Sequence, residues 1–175
     1  DYKKVKFKKV LKNSLIYKSL SILKKAVLVS IPCGIIIYFM TNTTIGNLSL
    51  FKIASNFLEP FGKLLGLDGV ILLSFFLALP ANEIVLPIII MGYLGSKNVP
   101  MISNYLTIKE VLINNSWTYM TALSTILFSI MHFPCGTTLA TIKSEVGTKW
   151  MIYSFFIPLV TGILFLFILN LLHGF

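Results

Sequence analysis

Residues 69–96 read GVILLSFFLALPANEIVLPIIIMGYLGS, 28 residues with a single charge, Glu83, almost at the midpoint. The stretch exceeds the roughly 20 apolar residues needed to cross a hydrocarbon core, so it belongs in lipid. Within it, Pro80 and Pro87 bracket Ala81, Asn82 and Glu83. A proline in a helix interior removes a donor and clashes with the preceding turn, so the helix is predicted to break here. A second stretch, 111–142, carries no charge and contains SIMHFPCGTTLAT (129–141), where Pro134 and Gly136 interrupt the apolar pattern. Thr137 or Thr138 is predicted to cap the half-helix that continues through Ile142. Two separate apolar segments therefore break in the middle. Non-helical backbone survives at membrane depth only where protein or water satisfies it, and paired broken helices point to a transport site.

Working outward, Ala26–Phe51 and Trp150–Phe175 also lack charges. The fold class is all-α: a polytopic transmembrane helical bundle with two discontinuous helices. Four spans are expected, at 22–41, 69–95, 117–145 and 150–172, with both termini on the cytoplasmic face and the loop near 96–116 on that face too. Either interrupted segment can instead be a re-entrant hairpin. Trp117 and Trp150 stand where spans three and four begin, as interfacial aromatics do. Between spans one and two, Ile53, Phe57, Leu58, Phe61, Leu64 and Leu65 recur at helical spacing with Pro60 interrupting, which predicts an interfacial helix near 52–66.

The whole composition agrees. Hydrophobic residues make up 56% of the 175 and charged residues 12%, with a mean hydropathy of +0.86, which excludes a soluble globular enzyme. The formal charge is +9, but nine of the fifteen lysines fall in residues 1–25. That segment reads as a basic cytoplasmic or interfacial lead-in helix against an anionic leaflet, with 26–175 as the membrane domain. No nucleic-acid module accompanies the lysines, so no nucleic-acid partner is expected. Ala26–Met40 lacks a small-x-small cleavage site and three more apolar segments follow, so it reads as a span and not a signal peptide. The chain opens on Asp1, which suggests a fragment of something longer or the product of a split gene.

The chemistry at the breaks suggests a cation. A broken helix ends in carbonyls carrying partial negative charge, expected here near Ala78, Leu79, Met131 and His132. An ionised, unpaired Glu83 at mid-membrane costs several kcal/mol, so it must be protonated, paired or bound to a cation. The chain has no arginine, and no lysine lies near mid-membrane. Cys135 adds a soft sulfur, His132 an imidazole and Asn82 a carbonyl, a set that suits a borderline divalent transition metal better than Na⁺ or Mg²⁺. Plainer roles stand beside these: Cys135 as a small buried hydrophobe, His132 bonding a freed carbonyl, and Asn82, Thr137 and Thr138 as caps. Cys33 has no second ligand near it in sequence and reads as structural.

These residues resemble the ferrous iron transport protein B (FeoB) permeases, in their C-terminal second Gate region. The likeness lies in Leu65–Leu73 (LGLDGVILL), Leu79–Pro87 (LPANEIVLP), Phe128–Leu139 (FSIMHFPCGTTL) and Thr141–Glu145 (TIKSE). The resemblance implies Fe²⁺ uptake across the bacterial cytoplasmic membrane, with Fe²⁺ as the substrate and Cys135 lining or gating its path. It also implies partners: a G domain that binds GTP with Mg²⁺, a helical coupling domain and a first Gate region, within one chain or on a separate subunit. No Gly-x-x-x-x-Gly-Lys-Ser/Thr loop occurs in the 175 residues, so they are expected to be no enzyme by themselves. Besides the bilayer and these portions, a homo-oligomer is open. The rival readings are a Gate-family permease for another solute, nucleoside-like or a different divalent metal, and a non-transporting membrane scaffold.

Overall fold

The computed structural model describes residues 19–46, 48–95 and 105–173, so most of the expected lead-in helix and the segment 96–104 lie outside the described residues. Eight α-helices follow in order among the described residues: α1 (Ser19–Asn42), α2 (Leu50–Leu64), α3 (Gly69–Leu77), α4 (Val85–Leu94), α5 (Tyr105–Asn114), α6 (Tyr119–Met131), α7 (Gly136–Glu145) and α8 (Thr148–His173). A two-residue antiparallel ladder, β1 (Thr44–Ile45) with β2 (Leu48–Ser49), turns the chain from α1 into α2. The all-helical, membrane-type bundle is as the composition requires.

Three segments are long and apolar enough to cross a bilayer: Ile22–Asn42, Tyr119–Glu145 and Thr148–Leu172. The first and last retain their internal prolines, Pro32 and Pro158, without interruption. The direction of each is fixed by its contacts. Near the start of α1, the Lys25 ammonium donates to Ser144 Oγ at 2.7 Å, close to the end of α7; this is the near end of the bundle. At the far end, α1 has passed into the turn where Leu50 N donates to Thr43 O, and Asn170 of α8 donates to the carbonyls of Lys63 and Leu64.

The expected second span does not cross. Asp68, the N-cap of α3, accepts a hydrogen bond from the hydroxyl of Tyr93, in the last turn of α4. Gly92 also lies against Val70 and Phe51. The start of α3 and the finish of α4 therefore sit side by side, and residues 69–94 form a re-entrant hairpin that enters from the far end, turns at 78–84 and returns. The connection from Gly95 to Trp117 consequently begins and ends at the far end, not at the near end where Lys25 sits, and residues 19 and 172 lie at opposite ends. Of the two readings of the interrupted segment, crossing or re-entrant hairpin, the hairpin is the one formed, which leaves three crossings and no longer puts both ends on one face. Length and hydropathy are the same for a hairpin of two short helices as for one crossing.

The hairpin occupies the core. Along α3, Val70 to Phe75 are all buried, and on α4 Ile88 to Met91 are too, packed with Phe51, Phe128 and Leu166. A helix that is apolar on every side belongs in such a position. The expected interfacial helix is α2, capped by the Ser49 hydroxyl accepting from Lys52 N at 3.2 Å. Pro60 does not interrupt it. It meets α3 at 108° and lies across the far end, burying Phe51, Ser55 and Gly62 while Phe57, Phe61 and Leu64 face outward. The turn between α2 and α3 closes on Gly66 at φ +70°, which favours glycine, with Leu67 N donating to Gly62 O at 2.9 Å.

Candidate functional site: two broken helices in contact

The hairpin tip is built as the prolines suggest, with one difference. Helix α3 stops at Leu77, Pro80 occupies the turn, Ala81 is extended and Asn82–Ile84 make one 3-10 turn before α4. Pro87 falls in the first turn of α4, where a missing N–H goes unmissed, so it starts the returning helix and does not break it. In the long crossing, α6 ends at Met131, His132 turns extended and α7 begins at Gly136. Phe133 precedes Pro134 and stays out of the helix, as residues before proline do.

These two breaks touch. Gly136 N donates to Leu79 O at 2.6 Å, so the opening of α7 rests on the carbonyl of the hairpin tip. Glycine suits this close approach: a Cβ on Gly136 would lie 2.7 Å from Val29 Cγ1 and 3.0 Å from Leu79 Cδ2, so its neighbours would have to shift. Of the carbonyls expected to be free for a cation, Leu79 O is therefore taken by Gly136, and Ala78 O accepts from Ala81 N at 3.0 Å. Met131 O is covered by α8 at Gly162.

Cys135, not a threonine, holds the N-cap position of α7. Thr137 and Thr138 lie in the first turn, and each hydroxyl is 3.1 Å from Cys135 Sγ. The sulfur is half-buried at the positive end of a helix, with two hydroxyls beside it. Both threonines thus serve the cysteine and not the helix cap.

His132 is placed elsewhere. Its ring is buried among Phe75, Phe128 and Phe133, with centroids 5.0, 5.9 and 5.1 Å away. Nδ1 faces Ser129 O at 2.9 Å; a carbonyl only accepts, so the ring hydrogen is on Nδ1, and Nε2 is left buried without a partner. Of the two roles expected for His132 the bond to a backbone carbonyl is the one seen, and among the described residues no three His, Cys, Asp or Glu side chains come together to hold a metal. The imidazole packs as an aromatic. A His132→Phe variant is expected to reach the membrane at normal abundance and to keep its transport activity, since it removes an unpartnered buried nitrogen for one carbonyl contact. Transport loss at normal abundance would restore the ligand role.

Asn82 and Glu83 are both exposed on the hairpin tip, and among the described residues no ion pair or hydrogen bond reaches the Glu83 carboxylate. Sequence reasoning missed the polar cluster that fastens the hairpin's base. Asp68 accepts from Ile71 N at 2.7 Å as well as from Tyr93, whose oxygen in turn accepts from Trp117 Nε1 at 2.7 Å; Glu59 of α2 accepts from Gly69 N at 2.8 Å. Asp68 before an apolar run was a readable cap signal. Tyr93, 25 positions on, carried none.

The comparisons bear on this pair of breaks. A family model described as Gate, nucleoside recognition, matches residues 23–149, a range that holds α1 from residue 23 on, the hairpin and the whole broken crossing. The chain belongs to the Gate family. This is the domain family found in FeoB and in nucleoside transporters. No curated protein and no solved structure matches the chain. A Gate-family chain of this hydropathy is a multi-pass membrane protein of permease type. Both breaks and their contact fall within the matched range, whereas α8 lies outside it.

Proposed function

We propose that this Gate-family chain is one half of a ferrous iron permease of the FeoB type, carrying Fe²⁺ across the bacterial cytoplasmic membrane with residues 1–25 on the cytoplasmic side. The observation that supports it is the position of Cys135: a sulfur donor at the seam where two broken helices meet, with its side chain flanked by hydroxyls. Sulfur is a donor for a borderline transition metal and has no use in recognising a sugar or base. Glu83 and Asn82, exposed on the tip, add oxygen donors on the outward face of the hairpin. A carboxylate at that depth facing lipid would be costly, so a further protein element must cover it: the first Gate region, a separate subunit or another copy. The ion would exchange water for thiol, carboxylate and carbonyl donors in steps, and GTP hydrolysis in a partner domain would drive the gating.

The test is anaerobic ⁵⁵Fe²⁺ uptake in an iron-transport-deficient strain producing the full-length protein, with Cys135→Ser alongside. Uptake is expected to fall on the order of tenfold at unchanged membrane abundance, the loss of one soft ligand for a hard one. Unchanged uptake would remove Cys135 from the path. The nucleoside reading suggested by the family's description predicts instead uptake of labelled uridine that Cys135→Ser leaves alone. Phe133, at the break in the long crossing, is buried and stacked on Phe155 at 4.8 Å, so it offers no free face to a base.

A further inference from the structure

The two threonines beside Cys135 belong to a longer polar face. Thr137, Thr138, Thr141 and Ser144 recur at helical spacing along α7, with Glu145 at its end. Opposite them, across an open cleft of about 400 Å³ lined on α7 by Thr137, Thr138, Thr141, Ile142 and Glu145, stand Ile22 and Lys25 of α1. The cleft starts at the hydroxyls that touch Cys135 Sγ and runs towards the near end of the bundle, where the Lys25 ammonium reaches over to Ser144 Oγ at 2.7 Å. Thr141 and Ser144 return their own hydroxyl hydrogens to carbonyls of α7, Thr137 O and Thr141 O, both at 2.9 Å. Their oxygens keep lone pairs free for water or a cation. Lipid tails offer nothing to those lone pairs or to the Glu145 carboxylate that ends the row, whereas water satisfies both.

We propose that this cleft is a water-filled half-channel joining Cys135 to solvent at the near end, and that Lys25, tethered by Ser144, is the latch that closes it to cations. The assignment of the route to cargo rests on Cys135 being on the cargo path. The latch acts by charge and position: an ammonium held across the narrow side of the cleft repels a divalent ion and occupies a hydroxyl that would otherwise face it. Release of Lys25 from Ser144, by movement of α1, opens the cleft. Helix α1 is suited to that movement, because none of its spanning window is buried within the chain.

The half-channel is tested without reference to any cargo. Thr141→Cys is placed in the full-length protein in a background free of other cysteines, and reaction with a positively charged, membrane-impermeant methanethiosulfonate is followed on intact cells and on inside-out vesicles. Thr161→Cys, on the exposed middle of α8, is the lipid-facing control. Thr141→Cys is expected to react at least tenfold faster than the control, and only from the face that carries the near end. Adding Lys25→Gln is expected to raise that rate by about tenfold, the scale of one charge-assisted hydrogen bond. A rate no faster than the control, or reaction only from the opposite face, would overturn the half-channel; an unchanged rate with Lys25→Gln would overturn the latch. If Thr141→Cys is poorly produced, Glu145→Cys in the same cleft makes the same measurement. Iron uptake unaffected by Cys135→Ser, together with fast Thr141→Cys labelling, would reject the cargo and leave the half-channel standing.

Discussion

Gly69→Ala should abolish accumulation of the folded protein. Helices α2 and α3 cross at 108° with backbone against backbone, and a Cβ on Gly69 would sit 1.9 Å from Ser55 O and 2.8 Å from Glu59 N. Both neighbours are main-chain atoms inside a helix, so no rotamer change can make room; the two helices must part. Parting them breaks the bond from Gly69 N to Glu59 Oε2 and uncovers the buried residues that start α3. Overpacking typically costs about 1–3 kcal/mol where side chains can yield, and a clash with two rigid helices belongs at or above the top of that range. With native stabilities of roughly 5–15 kcal/mol, such a loss at the core of the fold is severe. Gly34→Ala, where nothing lies within 4 Å of the added carbon, should be neutral or slightly stabilising. Membrane abundance and thermal aggregation in detergent, measured on the two variants together, check the expectation. Equal behaviour would mean that the α2–α3 crossing is looser than the structure shows.

How far the sequence carried this fold depends on how local each feature is. The breaks were legible because proline and glycine act on their own helix: Pro80 and Pro134 each stand in an interruption between two helices. The amphipathic α2 was legible from its spacing, although Pro60 was expected to break it and does not. The hairpin was legible only as the alternative to a crossing, since the contact that decides between them joins Asp68 to Tyr93 and a 28-residue apolar stretch fits either. At the site, Cys135 and Thr137 and Thr138 were picked out by their place at a break, yet the roles of cap and neighbour were exchanged. Backbone geometry at the start of α7 decides which residue is the cap, and Cys135 is extended there. For His132 the sequence left two roles open, and the carbonyl partner is the one seen: Nδ1 meets Ser129 O, while Phe75 of the hairpin, more than fifty positions earlier, packs against the ring.

The contact between the breaks also yields the second large effect, this time on transport and not on folding. In Gly136→Ala the new carbon meets Val29 Cγ1 at 2.7 Å, Leu79 Cδ2 at 3.0 Å and Leu79 O at 3.3 Å. Valine is stiff about χ1, so Val29 yields chiefly by moving α1, which the chain packs loosely enough to allow. The protein should therefore persist in the membrane. What it cannot keep is the 2.6 Å bond from Gly136 N to Leu79 O, because the same carbon also presses on Leu79 Cδ2 and Leu79 O and pushes the start of α7 off the hairpin tip. Cys135 is the next residue and moves with it. Misplacing a reacting or binding group by about 1 Å can cost on the order of a hundredfold, and ⁵⁵Fe²⁺ uptake by Gly136→Ala is expected to fall by that much. The alkylation rate of Cys135 should change in the same variant, a readout that does not depend on the identity of the cargo. Val29→Ala in the same chain removes the shortest of the three contacts and should restore part of both. If uptake and Cys135 reactivity stay at their native values in Gly136→Ala, the two breaks are merely adjacent, and the site does not depend on their contact.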